Sequence, residues 1–211
     1  DSCLVGSEMC IRDRRLAVAC TQDLGPTDES VAAILSSAVE RIAKAGARPT
    51  EGVFTSFKMV LDLAPCVYAA EAWGTWGRVI SKASTSVMHP PVRARFEAGA
   101  GYAAHQYVSA WQNLSQIRCR YFSEAAGFDA VLMPTTPNLP PKVAPLLIDH
   151  ARFAEANLLT LRNTRIANLL GLCALTLPAG TGGVGIMMMA PAGSERRLLR
   201  IGRAIEMALA T

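Results

Sequence analysis

Thr164-Arg-Ile-Ala-Asn168-Leu-Leu-Gly171-Leu-Cys-Ala174-Leu-Thr-Leu-Pro178-Ala-Gly180 contains the end of one element and the whole of another. Helical spacing runs from about Ala151 to Leu170, and Gly171 is placed to end it. Ala174–Leu177 is a short apolar run of strand length. Gly180-Thr-Gly-Gly183 then turns the chain, and Val184–Met189 reads as the returning strand. The same glycines, Gly180-x-Gly182-x-x-Gly185, formally match a dinucleotide fingerprint. That motif must open a helix, whereas these glycines lead into the strand-like Ile186-Met-Met-Met189, so a hairpin turn is predicted.

Working outward, Phe128–Met133 is continuously apolar apart from Asp129, which suits an inner strand of a largely parallel sheet. Pro134–Pro145 is too rich in proline to be regular and reads as a long loop after a strand's carboxyl end, where open α/β sheets bind ligands. Before it, a helix is predicted over about 101–126, closed by Gly127, with Tyr107, Trp111, Leu114, Tyr121, Phe122 and Ala125 as its apolar stripe. Leu16–Cys20 reads as a buried strand. It is followed by a helix capped by Thr27, with Asp28 and Glu29 in its first turn, Gly46 at its C-terminus and Pro49 as its stop. Residues 54–73 are helical in pattern with a kink or break at Pro65, and 81–91 read as loop. Ser194 caps a last helix bearing Leu198, Ile201, Ile205 and Leu209 on one face. The fold class is α/β, a mixed β-sheet flanked by helices.

Asp129-Ala-Val-Leu-Met-Pro134-Thr135-Thr-Pro137, followed by Thr164-x-x-x-Asn168-x-x-Gly171 and a strand closing in Pro178-x-Gly180, resembles the C-terminal half of the amidase signature family. The likeness continues through Gly185-Ile186 to Ser194-Glu195-Arg-Arg-Leu198-Leu199. It implies a parent enzyme that hydrolyses a small-molecule carboxylic amide to acid and ammonia or amine. In that family a serine attacks, a second serine in a cis peptide relays the proton to a lysine, and a Gly- and Ser-rich loop supplies the oxyanion donors. No such loop occurs in these 211 residues. Ser36-Ser37 falls within a helical pattern, Ser81-Lys82 has no glycine nest, Ser84-Thr-Ser86 is a polar loop, and Ser109 with His105 and Asp129 lacks a nucleophile elbow. The catalytic set is therefore expected to be absent here, and the missing N-terminal half of the domain is the implied partner. Two other readings are an amidotransferase A-subunit fragment acting on glutamine and a non-catalytic binding or scaffold protein of amidase ancestry.

What remains is pocket wall: Arg118, Thr135, Thr136 and Asn168 are the candidate substrate-binding residues. Arg118 follows Trp111 by seven and Leu114 by four, which puts a guanidinium on the apolar stripe, where it must find a partner. Three roles are open to it: pairing with Asp129 or Glu124, bonding to strand carbonyls, or holding a substrate carboxylate. The resemblance implies the last for the glutamine-using amidotransferases of the family. Those enzymes also carry an acidic residue where this chain has Leu161, which turns the expectation away from glutamine. Cys173 in place of a proline and Met187 in place of a glutamine are further departures. Thr135 and Thr136 can offer hydroxyls or simply stabilise turns. Asn168 is expected to tie a helix end to a loop through its amide.

Hydrophobic residues make up 51% and charged residues 18%, with a mean hydropathy of +0.24. This apolar balance fits an alanine-rich core or a sheet that has lost its cover, in which case a patch over 16–20, 129–133 or 184–189 would drive association, including into a homo-oligomer. A net charge of +4 with scattered basic residues offers no nucleic-acid stripe, and no run approaches a membrane span. Six cysteines without Cys-x-x-Cys pairs, and three distant histidines, suggest no metal site and no cofactor. The scattered thiols fit a reducing, cytoplasmic compartment. Residues 1–13 resemble translated adapter sequence, with a natural disordered tail as the alternative, and are set apart from residues 14–211, the C-terminal part of an amidase signature domain.

Overall fold

The computed structural model describes residues 11–20, 24–180 and 183–210. In chain order the elements are β1 (Arg15–Ala19), α1 (Glu29–Lys44), β2 (Arg48–Gly52), α2 (Thr55–Lys82), α3 (Pro90–Glu97), α4 (Ala104–Glu124), β3 (Ala130–Pro134), α5 (Val143–Ile148), α6 (His150–Thr160), α7 (Arg162–Leu170), β4 (Leu172–Pro178), β5 (Gly185–Pro191) and α8 (Glu195–Ala210). Short 3₁₀ turns at Thr85–Val87 and Ala98–Gly101 flank α3. The strands form one mixed sheet in the order β2-β1-β3-β5-β4. β2, β1 and β3 run parallel, β5 is antiparallel to β3, and β4 is antiparallel to β5. The α/β class, the mixed sheet and the β4–β5 hairpin agree with the sequence, although Thr181 and Gly182 of the predicted turn lie outside the described residues.

Strand alternation divides the core between the two faces. Ala17, Ala19, Val131, Met133, Met187 and Met189 face α2, α4 and α7, where Phe57, Val60, Leu114, Tyr121, Ile166 and Leu170 meet them. Leu16, Ala130, Leu132, Ile186, Met188 and Ala190 face α1 and α8, against Val31, Ala38, Ile42, Leu198, Ile201 and Ile205. Leu132, Met133, Met188 and Met189 are fully buried, as inner strands covered on both faces require. The expected apolar patch over 16–20, 129–133 or 184–189 is thus not exposed on these strands. Most of the exposed large apolar side chains lie instead on helices, including Trp76 and Val79 on α2 and Val143, Leu147 and Ile148 on α5.

Several predicted boundaries shift for identifiable reasons. Asp28, not Thr27, occupies the α1 N-cap, and its carboxylate accepts from the Leu139 N–H at 2.8 Å rather than from α1. Pro49 does not merely stop α1; it sits in β2, whose described partner is β1 alone, and proline is compatible with such an edge. α2 runs without a break through Pro65, which is exposed and leaves the Leu61 carbonyl without an N–H donor from the helix. Pro90 and Pro91 open α3 at its first two positions, within what read as loop, and α5 interrupts the proline-rich 134–145 segment. The predicted 151–170 helix is two helices, parted at Leu161. At its end Gly171 takes a left-handed conformation, φ 69°, which glycine reaches without cost. Ile11 is buried against the α1–α8 face, while residues 1–10 of the segment set apart in the sequence lie outside the described residues.

The start of α2 has no side-chain cap of its own. Glu124, at the end of α4, serves it instead. One carboxylate oxygen accepts from Thr55 Oγ1 at 2.6 Å, and the other accepts from Ser56 Oγ at 2.7 Å and Ser56 N at 3.3 Å. Arg120 adds a bond at 3.0 Å. Burial alone would raise the Glu124 pKa, but the bonds from Ser56, Thr55 and Arg120 outweigh it and hold the group below its usual value.

Candidate functional site

The carboxyl ends of β1 and β3 bring two loops together, 24–28 after β1 and 134–139 after β3. The first two residues of α7 join them. Arg162 is 5% exposed, and its four hydrogen bonds among the described residues all go to neutral acceptors. Nη1 reaches Pro26 O at 2.8 Å and Leu24 O at 3.3 Å, Nη2 reaches Thr27 Oγ1 at 3.2 Å, and Nε reaches Asn163 Oδ1 at 3.1 Å. Asn163, fully buried, donates from Nδ2 to Pro134 O at 2.8 Å, the last carbonyl of β3. The two loops also bond directly, Asp28 N to Pro137 O at 2.8 Å. Burial first, and then the neighbouring Arg165, lower the Arg162 pKa, although a guanidinium stays charged at any ordinary pH. No carboxylate among the described residues pairs with it, so a buried positive charge stands at the carboxyl end of the sheet.

Thr135, half-buried, follows β3 directly. Its N–H donates to Gly185 O at 2.8 Å and its hydroxyl to Thr176 Oγ1 at 3.2 Å. Gly185 is needed there, because a Cβ would stand 2.7 Å from Thr176 Cγ2 and 2.9 Å from Thr135 Oγ1. Thr136 closes a local turn through Asn138 O at 3.1 Å. A cleft of about 860 Å³ opens at the same end of the sheet, lined by Cys20, Gly25, Thr27, Ser36, Thr50 and Pro134 among others. Carboxyl-end clefts of this size suit small ligands.

Arg118 and Asn168 lie elsewhere. Arg118 is half-buried on α4; its Nε donates to Leu169 O at 2.9 Å and its guanidinium lies 5.4 Å over the Trp111 ring. It thus binds a helix-end carbonyl, beside Gly171 at the start of β4. Neither proposed acidic partner is available: Glu124 serves α2, and Asp129 accepts from Arg15 N at 2.9 Å and Arg14 Nη1 at 3.4 Å. Asn168 is exposed, and its side-chain amide bonds to no other described residue; its backbone carbonyl accepts from Gly171 N at 3.0 Å. The tie expected of Asn168 is made by Asn163. Gly185 pairs with Pro178 at the Thr135 end of β4, and Pro191 pairs with Leu172 at the Arg118 end. Six residues of strand separate these points, roughly 20 Å. The structure therefore brings Thr135 and Thr136 together but sets Arg118 and Asn168 at the opposite end of the sheet.

Residue type alone did not mark Arg162 and Asn163. Neither did it mark a second polar group on the other side of α7, where Arg95 Nη1 donates to Asn157 Oδ1 at 2.6 Å and Arg165 Nη2 to Leu158 O at 3.0 Å. The serine hydroxyls at 36, 81, 115 and 123 each donate to a carbonyl four residues back, and no serine among the described residues is hydrogen-bonded to a lysine or histidine. Among the described residues no cluster of His, Cys, Asp or Glu could hold a metal, and no helix is long and apolar enough to cross a membrane.

The family model described as Amidase matches residues 5–199. The 2-amino-5-chloromuconic acid deaminase of Comamonas testosteroni is 30% identical over 196 residues, covering 85% of this chain and 40% of that protein. The A-subunit of the glutamyl-tRNA(Gln) amidotransferase from Akkermansia muciniphila is 33% identical over 128 residues, covering 55% of this chain and 26% of its own length. Among solved structures, a crystal structure of an amidase superposes with a TM-score of 0.79 at 20% identity, over 93% of this chain and 46% of the other. A 6-aminohexanoate cyclic dimer hydrolase complexed with substrate gives 0.78 at 18%, over 97% and 47%. The chain thus spans less than half the length of each of these proteins.

Proposed function

The chain belongs to the amidase family, and from that premise we propose that it forms the sheet core and one wall of the substrate site of an enzyme hydrolysing a carboxylic amide. The attacking serine, its relay serine and the lysine base then come from residues outside this chain, as does the glycine-rich oxyanion loop. The observation that carries this reading is the pairing of a family match over residues 5–199 with serines that, among the described residues, are hydrogen-bonded to no lysine or histidine. An amide needs a nucleophile within hydrogen-bond reach of a base, and donors aimed at the developing oxyanion. A wall without them binds but does not attack.

In this proposal the substrate lies toward the carboxyl end of the sheet, where Thr135 and Thr136 offer hydroxyls beside the clasped loops. Arg118 then has a structural role, anchoring α4 to the end of α7, and Asn168 makes no substrate contact. Leu161, at the break between α6 and α7, supplies no charge for an ammonium, which favours a generic amide over glutamine. The protein works in the cytoplasm, and its partner is the remainder of the amidase domain. Ammonia release from small amides, by this chain with and without a complementing N-terminal half, tests the proposal.

A further inference from the structure

The clasp at the start of α7 has a feature that stability alone does not call for. Among the described residues Arg162 is a buried cation without a carboxylate partner, and three of its four bonds to them go to one short segment, Leu24, Pro26 and Thr27. Gly25 within that segment has φ +109°, and a Cβ there would stand 3.3 Å from Arg162 Nη1. The backbone is thus folded closely around the guanidinium. Asn163, the next residue, accepts from Arg162 and grips the last carbonyl of β3. One dipeptide therefore sets the position of both loops that wall the carboxyl-end cleft, and Gly25, Thr27 and Pro134 all line it. Two carbonyls from a loop facing one fixed, planar fork of donors can be satisfied in few arrangements.

We propose that Arg162 is a positioning residue for the substrate site: its guanidinium holds the 24–28 loop against the end of β3, and without it the cleft wall loosens while the sheet stays intact. The link to substrate rests on the amidase reading; the clasp itself does not. Asp28 N, bonded to Pro137 O, and Leu139 N, bonded to Asp28 Oδ2, report on the joined loops, and neither touches Arg162. Met188 and Leu175, paired across the β4–β5 hairpin, report on the sheet.

The test is backbone amide exchange in the full chain carrying Arg162→Ala, with and without low-millimolar guanidinium, and with urea as a control. The Asp28 and Leu139 amides should exchange faster by about tenfold, the factor for losing one ordinary hydrogen bond, with Met188 and Leu175 unchanged. Guanidinium should restore protection saturably and urea should not. Equal acceleration at all four amides, or no acceleration at Asp28 and Leu139, overturns the proposal. Should Arg162→Ala fail to fold, Gly25→Ala crowds the guanidinium from the loop side and should give the same local pattern; unchanged exchange at Asp28 and Leu139 in that variant also overturns it. In the complemented enzyme Arg162→Ala should lower kcat/KM, with rescue by guanidinium. If the wild-type pair is inactive, the amidase reading fails, and the exchange pattern still decides the clasp.

Discussion

Replacing Glu124 by alanine should destabilise the protein in a way that depends on pH. The carboxylate accepts from Thr55 Oγ1, Ser56 Oγ, Ser56 N and Arg120 Nε. Ser56 is fully buried, so its hydroxyl has no access to water once the acceptor is removed. A buried donor left without an acceptor costs about 1–3 kcal/mol. The Arg120 side chain is 54% exposed, and such a contact adds little. Allowing for the hydroxyl and the N–H at the start of α2, the loss is about 2–5 kcal/mol, or roughly 4–20 °C in Tm for a chain of this size. The sign of the pH effect follows from the lowered pKa. The folded state holds this carboxylate ionised more strongly than the unfolded state does, so its contribution is complete above the usual carboxylate value of 4.5 and is lost as pH falls through the folded pKa. Thermal unfolding followed by far-ultraviolet circular dichroism at a series of pH values from neutral to well below 4.5 reads this directly. The gap between wild type and Glu124→Ala should be widest near neutrality and shrink at the acid end. A gap that is constant with pH, or a shift below about 1 °C at neutrality, would refute the assignment of Glu124 as the cap of α2.

Gly99→Ala should be strongly destabilising, since its Cβ would fall 1.9 Å from the Ala69 carbonyl oxygen and a backbone must move; a loss of at least about 1–3 kcal/mol is expected in chemical denaturation, and a neutral result would contradict the packing of the 98–101 turn on α2. Arg118→Leu removes the Leu169 carbonyl bond and the stacking on Trp111, so it should cost about 1–2 kcal/mol while leaving the KM of the complemented enzyme unchanged. A tenfold rise in KM, equivalent to about 1.4 kcal/mol, would return Arg118 to the substrate.

What the sequence made legible was the part governed by local chemistry. Gly171, Gly180 and Gly183, with apolar runs of strand length between and beyond them, were enough to place the hairpin, because each of the three takes a backbone geometry that side-chain-bearing residues resist. β2 was hidden because Arg48-Pro-Thr-Glu-Gly52 is an edge strand with little to bury and shows no apolar alternation. α3 left a trace, prolines at its first two positions, that reads equally well as a loop. The break at Leu161 left none. For Arg118 the helical phase placed the side chain near the stripe, half-buried and bonded, but could not say which end of the sheet it would reach. The Arg162 clasp was illegible for a related reason: its partners lie 135 to 138 residues away, in loops whose course only the sheet fixes. Asn168 and Asn163 differ by five positions on one helix, and only packing decided which amide is buried.

Ammonia release from a panel of small aliphatic and aromatic amides tests the central claim most directly, run on this chain alone and after co-folding with the N-terminal half of a close relative. Loss of a single oxyanion donor already slows such reactions by about 10²–10³, and the proposal places every such donor, the nucleophile and the base outside this chain. The chain alone should therefore release no ammonia above the uncatalysed rate, and the complemented protein should. Turnover by the chain alone, abolished by a serine-directed fluorophosphonate, would contradict the account and show that a nucleophile lies within these residues.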